Sequence, residues 1–82
     1  MQPLAEVARD PDADSAADQL VSLTRRQEQV LDLLSRGCSH DEVARFLGIS
    51  RWTVKHHRDA AVRALRAANV AEAVAIYVRS VA

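Results

Sequence analysis

The sequence predicts a small all-α domain of four helices. The hydrophobic share is 49% although only 4% of the residues are aromatic, and the chain has just two glycines and two prolines. Apolar residues recur at intervals of three and four along most of its length. This mixture is typical of alanine- and leucine-rich helical modules. The length of 82 residues allows one domain.

The first two helices are predicted from their caps. Each begins at a hydroxyl residue followed three positions later by Gln or Glu, the capping-box spacing, in the pairs Thr24 with Gln27 and Ser39 with Glu42. Each is expected to end at a glycine in the left-handed conformation, Gly37 and then Gly48. The positions expected to be buried are Val30, Leu31, Leu34, Val43, Ala44 and Leu47.

The third helix is predicted over residues 50–65, with Ser50 as its N-cap. Its inward positions are expected at Val54, His57, Ala61 and Leu65. Asn69, with Glu72 three residues later, opens a fourth helix. Eight of the nine residues from 70 to 78 are apolar, more than one buried stripe requires.

The formal net charge of zero hides an uneven distribution. Residues 1–20 hold five acidic residues and one basic residue, whereas residues 21–82 hold ten basic and six acidic residues. Because residues 1–20 are polar, acidic and interrupted by Pro11, they are predicted to form a flexible acidic arm ahead of a domain at residues 21–82. The arm is either a solvated tail or a segment that covers the basic third helix and competes with its ligand.

Size and composition disfavour several function classes. A domain this small buries only about 60% of its unfolded surface, so a catalytic pocket would compete with the core; we expect neither an enzyme nor a cofactor. The sequence has no apolar run of the roughly 20 residues that span a bilayer and no secretory signal, so we expect a cytoplasmic protein without a membrane partner. The lone Cys38 agrees with a reducing compartment.

A metal site is not expected either. The possible ligands are Cys38, His40, His56 and His57. Adjacent residues on a helix point about 100° apart, so His56 and His57 do not readily share one ion. Cys38 is interpreted as a small apolar residue just after the first helix.

The second and third helices are joined by only a few residues, LGIS, which include a glycine. This spacing is typical of a helix-turn-helix, in which the first helix braces against the DNA backbone and the second presents its N-terminal turns to the major groove. The face of the third helix opposite its inward positions is therefore predicted to bind DNA. The candidate DNA-binding residues are Arg51, Trp52, Thr53, Lys55, His56, Arg58, Asp59 and Arg63.

The sequence resembles the LuxR/GerE-type DNA-binding domain of bacterial transcription regulators from about residue 23 to residue 78. The matching positions are Leu23-Thr24, Val30-Leu31, Gly37, Ser39, Glu42, Ala44, Leu47, Ile49-Ser50, Thr53-Val54-Lys55, His57, Leu65 and Glu72-Ala73-Val74. The resemblance implies a four-helix fold whose third helix reads DNA, whose fourth helix often pairs two protomers, and in which the position of Lys55 contacts DNA. It also implies that His57 packs inside.

The sequence departs from the family pattern at the end of the third helix. Where the family usually has Lys-Leu-Gly, this chain has Ala64-Leu65-Arg66. The missing glycine predicts that the helix continues through Ala67 and Ala68 and tilts the fourth helix. The missing lysine removes one expected phosphate contact.

The candidate residues divide into those expected to position the protein and those expected to select a sequence. Lys55 suits a guanine edge and His56 a base or a phosphate. Asp59 suits a cytosine amino group, or it restrains Lys55 or Arg63 by pairing along the helix. Trp52 has two interpretations: it packs against the second helix or the arm, or it contacts deoxyribose, a thymine methyl group or a protein partner.

The apolar fourth helix is interpreted as a two-fold dimer contact through Val70, Val74, Tyr77 and Val78. The alternative is complete burial against the first and third helices. The predicted function is thus a sequence-specific transcription regulator that binds double-stranded DNA as a homodimer, standing alone without a receiver or ligand-binding domain. The alternative is a protein-interaction module that binds RNA polymerase or another regulator and resembles sigma-factor region 4.

Overall fold

The computed structural model describes residues 22–81 as four helices joined by short turns. The bounds are α1 Arg25–Ser35, α2 His40–Leu47, α3 Arg51–Ala64 and α4 Val70–Val81. The predicted all-α class and the order of the elements are confirmed. The predicted acidic arm, residues 1–20, lies outside the described residues.

The first three helices begin at the predicted caps. In α1 the backbone N–H of Gln27 donates to the Thr24 hydroxyl at 3.1 Å, and the Gln27 side chain accepts from the Thr24 N–H at 3.0 Å. Ser39 and Glu42 form the same reciprocal pair at the start of α2. Each bond satisfies an N–H group that the first helical turn leaves without a partner. These boundaries are therefore fixed locally by sequence.

The turn between α2 and α3 depends on a left-handed residue. Gly48 has φ +70°, and the next N–H, that of Ile49, donates to the carbonyl of Ala44 at 3.0 Å. Ser50 then accepts from the N–H of Thr53 at 3.0 Å and starts α3. The chain thus needs only three residues to end one helix and begin the next.

The predicted continuation of the third helix is wrong, because α3 ends at Ala64. Arg66 adopts the left-handed conformation, φ +56°, and its N–H donates to the Arg63 carbonyl at 3.0 Å. The N–H of Ala67 donates to the Val62 carbonyl at 3.0 Å. These are the two bonds of a Schellman motif, so an arginine occupies the position that glycine usually takes.

Replacing Arg66 with glycine is expected to stabilise the domain by about 1 kcal/mol, because a side chain strains the left-handed conformation and glycine does not. The measurement is urea unfolding followed by circular dichroism. Arg66→Ala is the matched control, since it removes the guanidinium but keeps a Cβ at the same φ. Equal stability of the glycine and alanine variants would contradict the backbone explanation.

The core is divided into two clusters that share α1 and α3. The helix-turn-helix cluster contains Val30, Val43, Ala44 and Val54. The α4 cluster contains Leu23, Leu31, Ala61, Leu65, Ala73, Ile76 and Tyr77. The neighbours Val30 and Leu31 are both fully buried and enter different clusters. Because α3 contributes to both clusters, its exposed face is fixed relative to α2 and α4 together.

The fourth helix is buried on one side only. Ala73, Ile76 and Tyr77 point into the core, whereas Val78 is 41% exposed and Val81 is 56% exposed. Complete burial of this helix, the alternative considered from sequence, is therefore wrong. The Tyr77 hydroxyl donates to Asp32 Oδ1 at 3.1 Å, which ties α4 to α1. Tyr77 thus faces the interior rather than the surface expected for a dimer contact.

Candidate nucleic-acid interface

The exposed face of α3 follows from the side chains that the helix buries. Val54, Ala61 and Leu65 have no exposed surface, as the sequence predicted for these inward positions. His57, predicted inward as well, is half-buried. On the opposite side, five of the candidate residues are exposed: Arg51, Trp52, Lys55, His56 and Arg63.

A shallow depression of about 450 Å³ lies between the start of α2 and the first two turns of α3. Its lining side chains are His40, Arg51, Trp52, Lys55 and Arg58. Four of the five are residues that the sequence selected. The structure therefore gathers most of the predicted cationic set on one concave surface.

Lys55 is the cation in this depression that is free to bind an external group. Its side chain is exposed and forms no ion pair or hydrogen bond with any residue from 22 to 81. Arg51 has a partner, Asp41, at 3.5 Å between Nε and Oδ1, but both side chains are more than 60% exposed. Such an exposed pair stabilises little and opens readily.

Arg58 and Asp59 form a close pair beside Lys55. Asp59 Oδ1 accepts from Arg58 Nε at 3.0 Å and from Nη2 at 2.8 Å. The hydrogen bond from Arg58 is the main reason why the pKa of Asp59 lies below its ordinary value. The direct partner of Asp59 is thus Arg58, whereas Lys55 and Arg63, the partners predicted from sequence, attract it only through their charges. Arg63 is exposed in the last turn of α3.

The Arg58 guanidinium is also held from the other side. Nη1 lies 3.1 Å from Nε2 of His40, at the first residue of α2, and the Arg58 side chain is only 19% exposed. One arginine therefore bridges the two helices of the helix-turn-helix. Its position makes it a brace for the surface as well as a source of positive charge.

Trp52 lies on the surface and stacks on His56, one helical turn later. Their ring centroids are 5.5 Å apart and the planes are within 10° of parallel. The indole is 73% exposed, so packing against the second helix, one of the two interpretations considered, is wrong. Packing of Trp52 on the arm lies outside the described residues.

Thr53 is a less accessible candidate. Its side chain is half-buried, and its hydroxyl shares a 2.8 Å hydrogen bond with the Ser50 hydroxyl. Both hydroxyls therefore lie at the N-terminus of α3, where backbone N–H groups and the helix dipole favour an anion. A phosphate oxygen at this position would find donors without any change in backbone conformation.

The chain matches a known protein family. The family model GerE, described as bacterial regulatory proteins of the luxR family, matches residues 21–77. The chain belongs to the LuxR family. Its helix-turn-helix is that of a group of DNA-binding transcription regulators, as the resemblance of the sequence implied.

Comparison of this LuxR-family chain with curated proteins and with solved structures found no match. Within residues 22–81, no helix is long and apolar enough to cross a membrane. The same residues contain no group of three or more His, Cys, Asp or Glu side chains arranged to hold a metal ion. Cys38 packs, half-buried, on the helix-turn-helix cluster.

Two residues that contact α3 at the depression were missed in the sequence analysis. His40 was considered only as a metal ligand and Asp41 not at all, yet they contact Arg58 and Arg51 across the helix-turn-helix. Each contact joins the start of α2 to α3 across ten or more residues of sequence. Helical spacing does not report such contacts; only the packing of α2 on α3 would have revealed them.

The half-buried His57 is expected to make the stability of the domain depend on pH. Its pKa is lowered, first by burial and then by the neighbouring charges of His56 and Arg26. The unfolded chain therefore binds the proton more tightly, and stability is expected to fall as pH drops below about 6.5, the ordinary histidine pKa. Urea unfolding across pH 5–8 should show that the free energy of unfolding falls less for His57→Gln than for wild type as the pH is lowered. Parallel curves would exclude His57 as the cause.

Proposed function

We propose that this protein is a sequence-specific transcription regulator that binds double-stranded DNA through α3 and works by binding alone, in the bacterial cytoplasm. The observation that carries the proposal is Lys55, an exposed cation that lines a concave basic surface and has no hydrogen-bond or ion-pair partner among residues 22–81. Its position in the second turn of α3 is the part of a recognition helix that meets base edges. Membership of the LuxR family supports the same function.

The residues divide the work between positioning and selection. Arg51, Thr53 and Arg63 contact phosphates, because they lie at the two ends of α3 and offer charged or N-terminal donors. Lys55 donates to a guanine edge, and His56 contacts a neighbouring base or phosphate. Arg58 contacts His40, so its role is to hold α3 in position against α2. Its partner Asp59 carries a negative charge, which repels phosphates when the protein is misaligned on the DNA.

The dimer contact uses the exposed side of α4. Val70 and Val74 are half-buried and Val78 is exposed, and all three recur at the four-residue spacing of one helix face. A two-fold contact along this face would place two copies of α3 on one side of the DNA. Tyr77, which the sequence included in this contact, instead stabilises α4 within each protomer. Val78→Asp should give a monomer by sedimentation while retaining its helical content; an unchanged dimer would exclude this face.

The test of the proposed function is selection from a random duplex pool, followed by binding of the enriched duplex across a salt series. About five phosphate contacts per protomer, or ten for the dimer, predict a slope of roughly −9 in log affinity against log salt. Inverted repeats among the enriched sequences would support the dimer. A folded protein that enriches no sequence but captures RNA polymerase or another regulator would replace the proposal with the protein-interaction alternative.

A further inference from the structure

Trp52 and His56 form an aromatic plate on the proposed DNA-facing side of α3. Although Trp52 is a large apolar residue, it is 73% exposed and belongs to neither core cluster. Stacking on His56 at 5.5 Å restricts both side chains, because the nearly parallel rings hold each other in one arrangement. The pair therefore contributes little to the core and presents a preorganised aromatic surface, of which the Trp52 indole is the apolar part.

The plate shares its surroundings with the proposed base-reading residue. Trp52 and Lys55 line the same depression, three residues apart on α3. Three residues advance about 4.5 Å along a helix, which is comparable to the 3.4 Å spacing of stacked bases. With α3 lying along the major groove, a side chain at Trp52 would meet a base pair beside the one that Lys55 contacts.

An intact duplex limits what an indole can contact in the major groove. Base faces are covered by stacking, so only base edges are presented. Guanine, adenine and cytosine edges carry hydrogen-bonding groups there, and covering them with an apolar ring leaves those groups unsatisfied. Thymine alone adds an apolar group, its C5 methyl.

Resting on the proposed function, we propose that the stacked Trp52–His56 pair is a subsite that selects a thymine through its C5 methyl group, next to the base pair contacted by Lys55. Lys55 supplies the polar part of the readout and the plate supplies the apolar part. The expected half-site thus contains a thymine whose methyl group, and not its hydrogen-bonding pattern, determines binding.

The experiment compares two random duplex pools that differ only in carrying thymine or uracil, because uracil lacks the methyl group and keeps the same hydrogen-bonding groups. The full chain is expected to enrich thymine at one position of each half-site in the first pool. In the uracil pool that preference disappears, while the positions read by Lys55 remain enriched. On the enriched duplex, one thymine-to-uracil change should weaken binding about fourfold, the effect of one methyl group.

Variants of Trp52 assign the effect to the plate. Trp52→Ala should bind the thymine and uracil duplexes equally, whereas Trp52→Phe, which keeps an aromatic ring, should retain most of the discrimination. Because the indole is exposed, both variants are expected to fold, and circular dichroism checks this.

The outcomes separate this inference from the function on which it rests. If the same positions are enriched in both pools and uracil binds as tightly as thymine, the methyl subsite is overturned and DNA recognition stands; a contact with deoxyribose would give this result. Enrichment of no sequence in either pool would overturn both. Equal thymine preference in wild type and Trp52→Ala would assign the methyl contact to another residue and overturn the plate.

Discussion

Replacing Lys55 with alanine is expected to weaken binding to the selected duplex by roughly 5- to 150-fold, the range for loss of a good base contact. The residue is exposed and has no partner among residues 22–81, so the substitution leaves the fold intact while it removes a donor from the recognition surface. Fluorescence anisotropy at one fixed salt concentration measures the change, and circular dichroism confirms the fold.

Arg79→Ala is the matched control for Lys55→Ala. It also removes one positive charge from an exposed position, but on α4. A general loss of electrostatic attraction would weaken DNA binding equally in both variants, whereas loss of a specific contact would weaken it only in Lys55→Ala. If Lys55→Ala binds specific and random duplexes in the same ratio as wild type, Lys55 contacts a phosphate and does not select a base.

Leu31→Ala is expected to lower the free energy of unfolding by about 2–5 kcal/mol, because it leaves a cavity where a fully buried side chain packed. Alanine keeps the helix propensity of α1, so the loss reports packing alone. Proteins have a total stability of only about 5–15 kcal/mol, so this loss is a large share of the whole. Urea unfolding gives the value.

The control for this cavity is Phe46→Ala, a large-to-small change at a side chain that is 76% exposed. It is expected to change stability by less than about 0.5 kcal/mol. A similar loss in both variants would show that the exposed phenyl ring contributes to folding and that burial does not account for the difference.

Most of the fold was predictable because its signals are local. The caps Thr24, Ser39 and Ser50 each act on an N–H three residues away, so the sequence alone sets where α1, α2 and α3 begin. The end of α3 was not predictable in this way. Rules for helix ends favour glycine at the left-handed position, and Arg66 adopts that conformation because packing on both sides of the turn determines it.

The candidate site was predicted as a set of residues but not as a set of contacts. Helical periodicity placed Lys55 and His56 on the exposed face. It could not identify Arg58 as the hydrogen-bond partner of Asp59, because several basic residues lie within reach of Asp59 on the same helix. Nor could it place Tyr77 inside, because in an almost wholly apolar helix periodicity does not distinguish the buried side from the exposed one.

The adjacent residues Val30 and Leu31 place α1 in both core clusters: Val30 packs in the helix-turn-helix cluster and Leu31 in the α4 cluster. Substitutions in the α4 cluster can therefore change how α4 packs while the exposed face of α3 keeps its side chains. In the proposed dimer, such changes would alter the separation between half-sites without altering the base contacts within each half-site.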